Sequence, residues 1–132
     1  LEFYRPHIAV LSNIQWKETP DHATPEAYLD TYKRFTLSIE REGKLIFFGE
    51  DQVVSELAQH VREDITAIAY ERHVAEETEG TMQLITRYGN YPVRIPDRFF
   101  LENMSAARLV CRHLGVKDSD FYQAISEYSL SL

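Results

Sequence analysis

The stretch Phe99–Tyr128, FFLENMSAARLVCRHLGVKDSDFYQAISEY, decides how this chain is read. Leu101, Met104, Ala107, Val110, Cys111 and Leu114 recur at helical spacing, and the run ends at Gly115. Phe121, Tyr122 and Ile125 form a second stripe, behind Asp118 as an N-cap. Two short amphipathic helices joined by a capped turn are expected here.

Upstream the periodicity changes. Thr81–Tyr88 and Tyr91–Ile95 flank Gly89-Asn90, and Met82, Leu84, Thr86 and Tyr88 alternate with their neighbours, which predicts a β-hairpin. Glu71–Gly80 is acidic and polar and reads as a surface loop. Before it, three apolar runs read as buried strands: His7–Ile14, Lys44–Phe48 and Ile65–Tyr70. Between the first two lies a helix that starts at Thr24-Pro25-Glu26, with Thr24 as cap, Pro25 at the first helical position and Glu26 favouring the dipole. Its stripe is Tyr28, Tyr32, Phe35 and Ile39, widened by Leu29 and Leu37, and Gly43 is expected to close it as a left-handed cap. Asp51 can cap the next helix, which carries Val53, Val54, Leu57, Ala58 and Val61. Strand and helix alternate at lengths that demand right-handed crossovers. The expected fold is therefore α/β: three layers, a mainly parallel sheet, a β-hairpin and a closing helix pair, in one domain over residues 1–132.

Composition sets outer bounds. The 132 residues are 44% hydrophobic and 27% charged, enough for a real core. A formal net charge of −7 argues against a nucleic-acid partner, which needs a basic footprint. No apolar run approaches the roughly 20 residues of a membrane helix, and the start LEFYRPHIAV lacks the form of a leader. A first residue other than Met is read as a processing or cloning boundary. Cys111 is the single cysteine, so no internal disulfide forms; this fits a reducing, cytoplasmic setting. On its helical stripe Cys111 reads as a packed small hydrophobe. The five histidines show no His-x3-His pattern, and no Cys-x2-Cys accompanies them. Glu18, Asp21 and His22 carry the donor types of a hard-cation site, and the same residues also describe a solvated turn.

In order, these segments resemble the second half of the central, ATP-binding domain of the Mur ligases, which build or recycle the peptide stem of bacterial cell wall. RPHIAVLSNIQW resembles the strand leading into the family's Asp-His pair, TPEAYLDTYKRF the helix after it, and EGKLIFFGED the next strand and turn. REDITAIAY and TRYGNYPVRI follow in register. LENMSAARLVCRHLGV resembles the helix that the family opens with His-Asn, and DSDFYQAISEY the final helix of its domain. The subgroup implied joins UDP-N-acetylmuramate to alanine or to a recycled tripeptide.

The resemblance implies ATP and magnesium for a full-length parent and no cofactor for the isolated chain. It implies a nucleotide contact at Asn103, which matches a family Asn; the candidate metal ligands Glu18 and His22 rest on their donor chemistry instead, since Asp21-His22 lies four residues past the family's pair. Two departures stand against it. Lys17 and Glu18 replace the Asp-His pair, whose His helps to hold magnesium, and Phe99 and Phe100 replace the His-Asn pair on the adenine side. The phosphate loop G-x-x-x-x-G-K-[ST] does not occur in these residues. The isolated chain is thus expected to be inactive, as a piece of an amide ligase or as a non-catalytic scaffold, natural or engineered, of the same fold. An exposed sheet edge is expected to recruit further copies of the chain.

Overall fold

A computed structural model describes residues 5–12 and 24–132. It divides into two compact units, Leu1–Ala69 and Tyr70–Leu132, each described by itself.

The first unit is built on a parallel three-stranded sheet, β1 (Ile8–Leu11), β2 (Lys44–Phe48) and β3 (Thr66–Tyr70), in the order β1-β2-β3. β1 and β2 pair in register Ile8 with Lys44 through Leu11 with Phe47. The crossovers are α1 (Pro25–Leu37) and α2 (Gln52–Gln59). α1 starts as its sequence dictates: the Thr24 hydroxyl accepts from the Ala27 amide at 3.1 Å, with Pro25 inside it. Asp51 caps α2 by accepting from the Val53 and Val54 amides at 2.9 and 3.1 Å. The core gathers Ala9, Leu11, Leu45, Ile39, Val54, Ala58 and Ile65. The Tyr28-Tyr32-Phe35 stripe is only half buried; Tyr32 and Phe35 flank the core, and Leu37 is 60% exposed.

Gly43 does not close α1. The helix ends at Leu37, where the Ser38 hydroxyl donates to the Phe35 carbonyl at 2.6 Å and the Thr36 hydroxyl to the Lys33 carbonyl at 2.7 Å. The left-handed residue of the connection is Glu42, at φ 62°. Gly43 is required for a different reason. A Cβ there would lie 2.7 Å from Ile39 Cγ2, 2.8 Å from the Glu40 carbonyl and 2.9 Å from the His7 carbonyl. Arg62 then fastens the helix end, donating to the Leu37 and Ile39 carbonyls at 2.8 and 2.7 Å. Asp64 steadies Arg62 and accepts from the Glu42 amide at 2.8 Å. This pairing with Arg62 and the amide holds the Asp64 carboxyl at about 2.

The second unit opens with an antiparallel sheet of three strands, β4 (Ala75–Thr78), β5 (Thr81–Thr86) and β6 (Gly89–Pro92), in chain order. The acidic segment Glu71–Gly80 is therefore not wholly a loop. Its AEET run pairs with β5 from Ala75–Leu84 to Thr78–Thr81. Glu79 and Gly80, at φ 52° and 81°, make the tight turn between them. The β5–β6 turn also differs from expectation. Thr86 pairs with Gly89 and Ile85 with Asn90, so Arg87-Tyr88 form the loop and Gly89-Asn90 begin the strand.

Helices α3 (Phe100–His113) and α4 (Asp118–Leu130) close this unit. Gly115, at φ 94°, ends α3, with the Val116 amide reaching the Cys111 carbonyl and the Gly115 amide the Arg112 carbonyl. The buried face of α3 is Leu101, Met104, Ser105, Ala106 and Leu109; Ala107 is exposed and Leu114 is 70% exposed. The stripe expected through Ala107 and Leu114 is thus rotated. The shared core is Leu84, Val93, Leu101, Met104, Phe121 and Tyr122, with Cys111 packed at its margin. Two serines on α4 join this inner face: Ser126 donates to the Pro92 carbonyl, and Ser129 accepts from the Arg94 amide at 3.1 Å.

Candidate functional site

The start of α3 is where the resemblance places a nucleotide contact. Asp97 organises it: its carboxylate accepts from the Phe99 amide at 2.8 Å, while Phe99 itself occupies the N-cap without a side-chain cap bond. The Arg98 guanidinium lies 4.6 Å from the centroid of the Phe99 ring, and Phe99 is 41% exposed. Phe100 turns the other way and packs on the core of the unit. Asn103 follows one turn later and is exposed, its amide N–H donating to the Phe99 carbonyl at 2.9 Å. Chemically this edge offers a cation, an aromatic face and one carboxamide. Glu18 and His22, the expected metal ligands, lie outside the described residues, as do Lys17 and Asp21. Among the described residues, no group of three or more His, Cys, Asp or Glu is placed to hold a metal ion.

Deeper in the same unit lies a polar network that periodicity does not reveal. His73 Nδ1 sits 2.9 Å from the Val74 carbonyl and Nε2 sits 2.7 Å from the Tyr122 hydroxyl. A carbonyl only accepts, so Nδ1 carries a proton, and in the neutral ring Nε2 accepts from Tyr122. Burial, with Arg108 nearby, moves the His73 pKa below its ordinary value despite the Val74 bond. Tyr91 stacks on Tyr122 at 5.3 Å between centroids.

Asp118 was expected to cap α4. It is instead the first residue of that helix, and Lys117 occupies the cap. Its carboxylate faces back toward α3, accepting from Arg108 at 3.0 Å and from Arg112 at 2.6 Å. The Arg112 bond leads in lowering the Asp118 pKa, against a burial that would raise it. The sequence does carry a trace of this clasp. Two arginines four apart end the first helix, and an acid opens the second. His73 has no such signature, because its partner is 49 residues away.

A second feature is an open cleft of about 830 Å³ in the first unit, along α1 and β1, lined by Val10, Leu11, Tyr32, Phe35 and Leu37. Its lining is chiefly apolar and, among the described residues, holds no acid–base pair.

No protein-family model matches the chain. Among curated proteins it is similar to the UDP-N-acetylmuramate–L-alanine ligase of Arthrobacter sp. (strain FB24), with 26% identity across 96% of this chain and 29% of that enzyme. Among solved structures, it superimposes on the UDP-N-acetylmuramate:L-alanyl-γ-D-glutamyl-meso-diaminopimelate ligase of Neisseria meningitides. The TM-score is 0.71, at 18% identity over 93% of this chain and 40% of that one. MurF from Acinetobacter baumannii superimposes with a TM-score of 0.68, at 19% identity over 92% of this chain and 29% of that one. The chain thus spans well under half the length of the relatives it matches. In sequence along nearly its whole length, and in its elements of parallel sheet, hairpin sheet and closing helices, this chain is similar to a part of the Mur ligases.

Proposed function

We propose that the chain is the second half of a Mur-type central domain. In a longer parent it would support ATP-dependent, magnesium-assisted amide formation on a UDP-muramic acid carboxylate, in the cytoplasm. By itself it neither holds nor turns over ATP. The observation that carries this reading is the start of α3. Phe99 lies beneath Arg98 and Phe100 packs on the core, which leaves Asn103 as the exposed neutral polar side chain of the first turn of α3. Phosphoryl transfer further needs phosphates positioned and their charge offset, and these 132 residues contain no glycine-rich phosphate loop. No step is assigned to a metal, because Glu18 and His22 lie outside the described residues.

The test is Mg-ATP at millimolar levels with thermal unfolding and phosphate release as readouts. No shift and no release are expected, for the chain as it stands and for the double substitution Lys17→Asp, Glu18→His. An ATP-dependent shift in either form overturns the reading, since a ligand stabilises the fold whenever its concentration exceeds its Kd.

The packing of Phe100 favours a second reading, a non-catalytic scaffold that retains the fold while a motif position serves stability. The coding sequence upstream separates the two: a phosphate loop in frame supports the ligase half, and its absence supports the scaffold. Under either reading β1, at the end of its sheet, is expected to pair with a second copy of the chain. A concentration-dependent dimer in sizing experiments supports this, and a strict monomer at high concentration rules it out.

A further inference from the structure

Residues 71–74 carry the chain from β3 to β4, and little burial holds them. Glu71, Arg72 and Val74 are exposed, and His73 is partly buried. The ties of this strap to the second unit are polar. The His73 amide donates to the Leu101 carbonyl at 3.4 Å, and the Ile85 amide donates to the Val74 carbonyl at 3.2 Å. The imidazole adds a bond at each nitrogen: Nδ1–H donates to that same Val74 carbonyl, and Nε2 accepts from the Tyr122 hydroxyl. One ring thus joins the strap to α4. Tyr122 cannot follow a ring that moves, because it is buried, stacked on Tyr91 of β6 and set edge-on to Phe121 at 6.0 Å. The other groups around the joint give a positive ring no support. Arg108 of α3 opposes a charge on His73. Asp118 of α4, the carboxylate nearest in effect to Tyr122, is already bonded to Arg108 and Arg112, and Tyr88 faces Tyr122 from the β5–β6 loop. A protonated ring has no lone pair for the Tyr122 O–H, so that hydroxyl must turn, and a second positive charge then stands near Arg108.

We propose that His73 is a proton-controlled latch: the neutral ring fastens the strap 71–74 to α3 and α4, and the protonated ring releases it while the sheet and helices of the unit stay packed. The core of the unit is built from Leu84, Val93, Leu101, Met104 and Phe121 and does not need the ring. A segment with few buried apolar contacts opens before such a core. The latch is independent of the reading of the α3 start, since neither Phe99 nor Asn103 takes part in it. The experiment is amide hydrogen exchange on the isotopically labelled full chain from about pH 5 to 8, corrected for intrinsic rates, with and without dilute urea. An opening that takes up one proton weakens protection by about tenfold per pH unit below the ordinary histidine value of 6.5, until the folded ring itself titrates. That slope is expected at the His73 and Ile85 amides, and it should be insensitive to dilute urea because the opening exposes little surface. The Leu109 amide, on the buried face of α3, should stay better protected at every pH and should respond to urea. His73→Gln should abolish the slope at the Ile85 amide. Tyr122→Phe, which keeps the ring stack and removes the hydroxyl, should lower the protection of both amides at neutral pH and narrow the pH range of the slope. Exchange without a slope at His73 and Ile85, a slope that survives His73→Gln, or strap protection equal to that of Leu109 at every pH overturns the proposal.

Discussion

Asp118 shows at the scale of one residue how a local signal can be right about an element and wrong about a role. It marks the start of α4, yet its carboxylate leaves the helix end and joins two arginines of α3. Its side chain is only 9% exposed, so Asp118→Ala strands the Arg108 charge, which is 19% exposed, without its partner. A loss of about 3 kcal/mol is expected in urea unfolding, because an uncompensated, largely buried charge is costly. A loss below about half that would assign the pair to the surface class. Gly43 offers a second test. Gly43→Ala forces three contacts below 3.0 Å, two of them on backbone carbonyls that cannot swing away. It should destabilise by about 1–3 kcal/mol. At Gly80 a Cβ meets nothing within 4 Å, so Gly80→Ala is opposed only by its φ of 81° and should cost about 1 kcal/mol.

Among the elements, α3 is the most instructive. Its apolar residues allow two faces, one through Ala107 and Leu114 and one through Ser105 and Leu109, with Leu101 and Met104 common to both. The second is buried because Ser105 and Ala106 are small enough to let the helix approach closely, and because Leu114 falls at the C-cap. Leu109→Ala should therefore lose about 2–5 kcal/mol in equilibrium unfolding, and Leu114→Ala within about 0.5 kcal/mol of nothing. Equal losses at the two positions would restore the other face. β4 carries the complementary lesson. AEET lacks the alternation of a strand, but edge strands tolerate and even favour charge, and the Glu79-Gly80 turn brings it onto β5.

Stability of the whole molecule should fall at both ends of the pH range, for opposite reasons. Asp118 has a depressed folded pKa, so its contribution is complete above the ordinary carboxylate value and disappears as pH falls through the folded one. His73 behaves alike: held neutral, it contributes above its ordinary 6.5 and loses that contribution as pH falls through its lower folded value. At the alkaline end, burial raises Tyr32 and Tyr70 to about 12, helped by Tyr28 and Glu102 respectively. Their contribution is complete below the ordinary tyrosine value of 10.0 and is lost between there and about 12. Unfolding midpoints measured across pH should form a plateau that falls below 6.5 and again above 10. His73→Gln should flatten the first part of the acid limb, and an unchanged limb would remove His73 from the account.

The order of strands and helices apart from β4, the caps at Thr24 and Asp51, the end of α3 at Gly115 and the resemblance to the Mur ligases were all legible in the amino-acid order. Each rests on short-range chemistry: a hydroxyl three residues from an amide, a fixed proline φ, an apolar run bounded by turn formers. Asn103 could be placed at the start of α3, and Phe99 and Phe100 beside it, but not which of the two rings would turn inward. Nor could local pattern reveal that Gly43 serves close approach, that Arg62 closes α1, or that His73 meets Tyr122. Those depend on groups brought together from distant parts of the chain, where space, charge and unsatisfied carbonyls are decided by the packed fold, and periodicity along one segment carries no information about what the next will press against it.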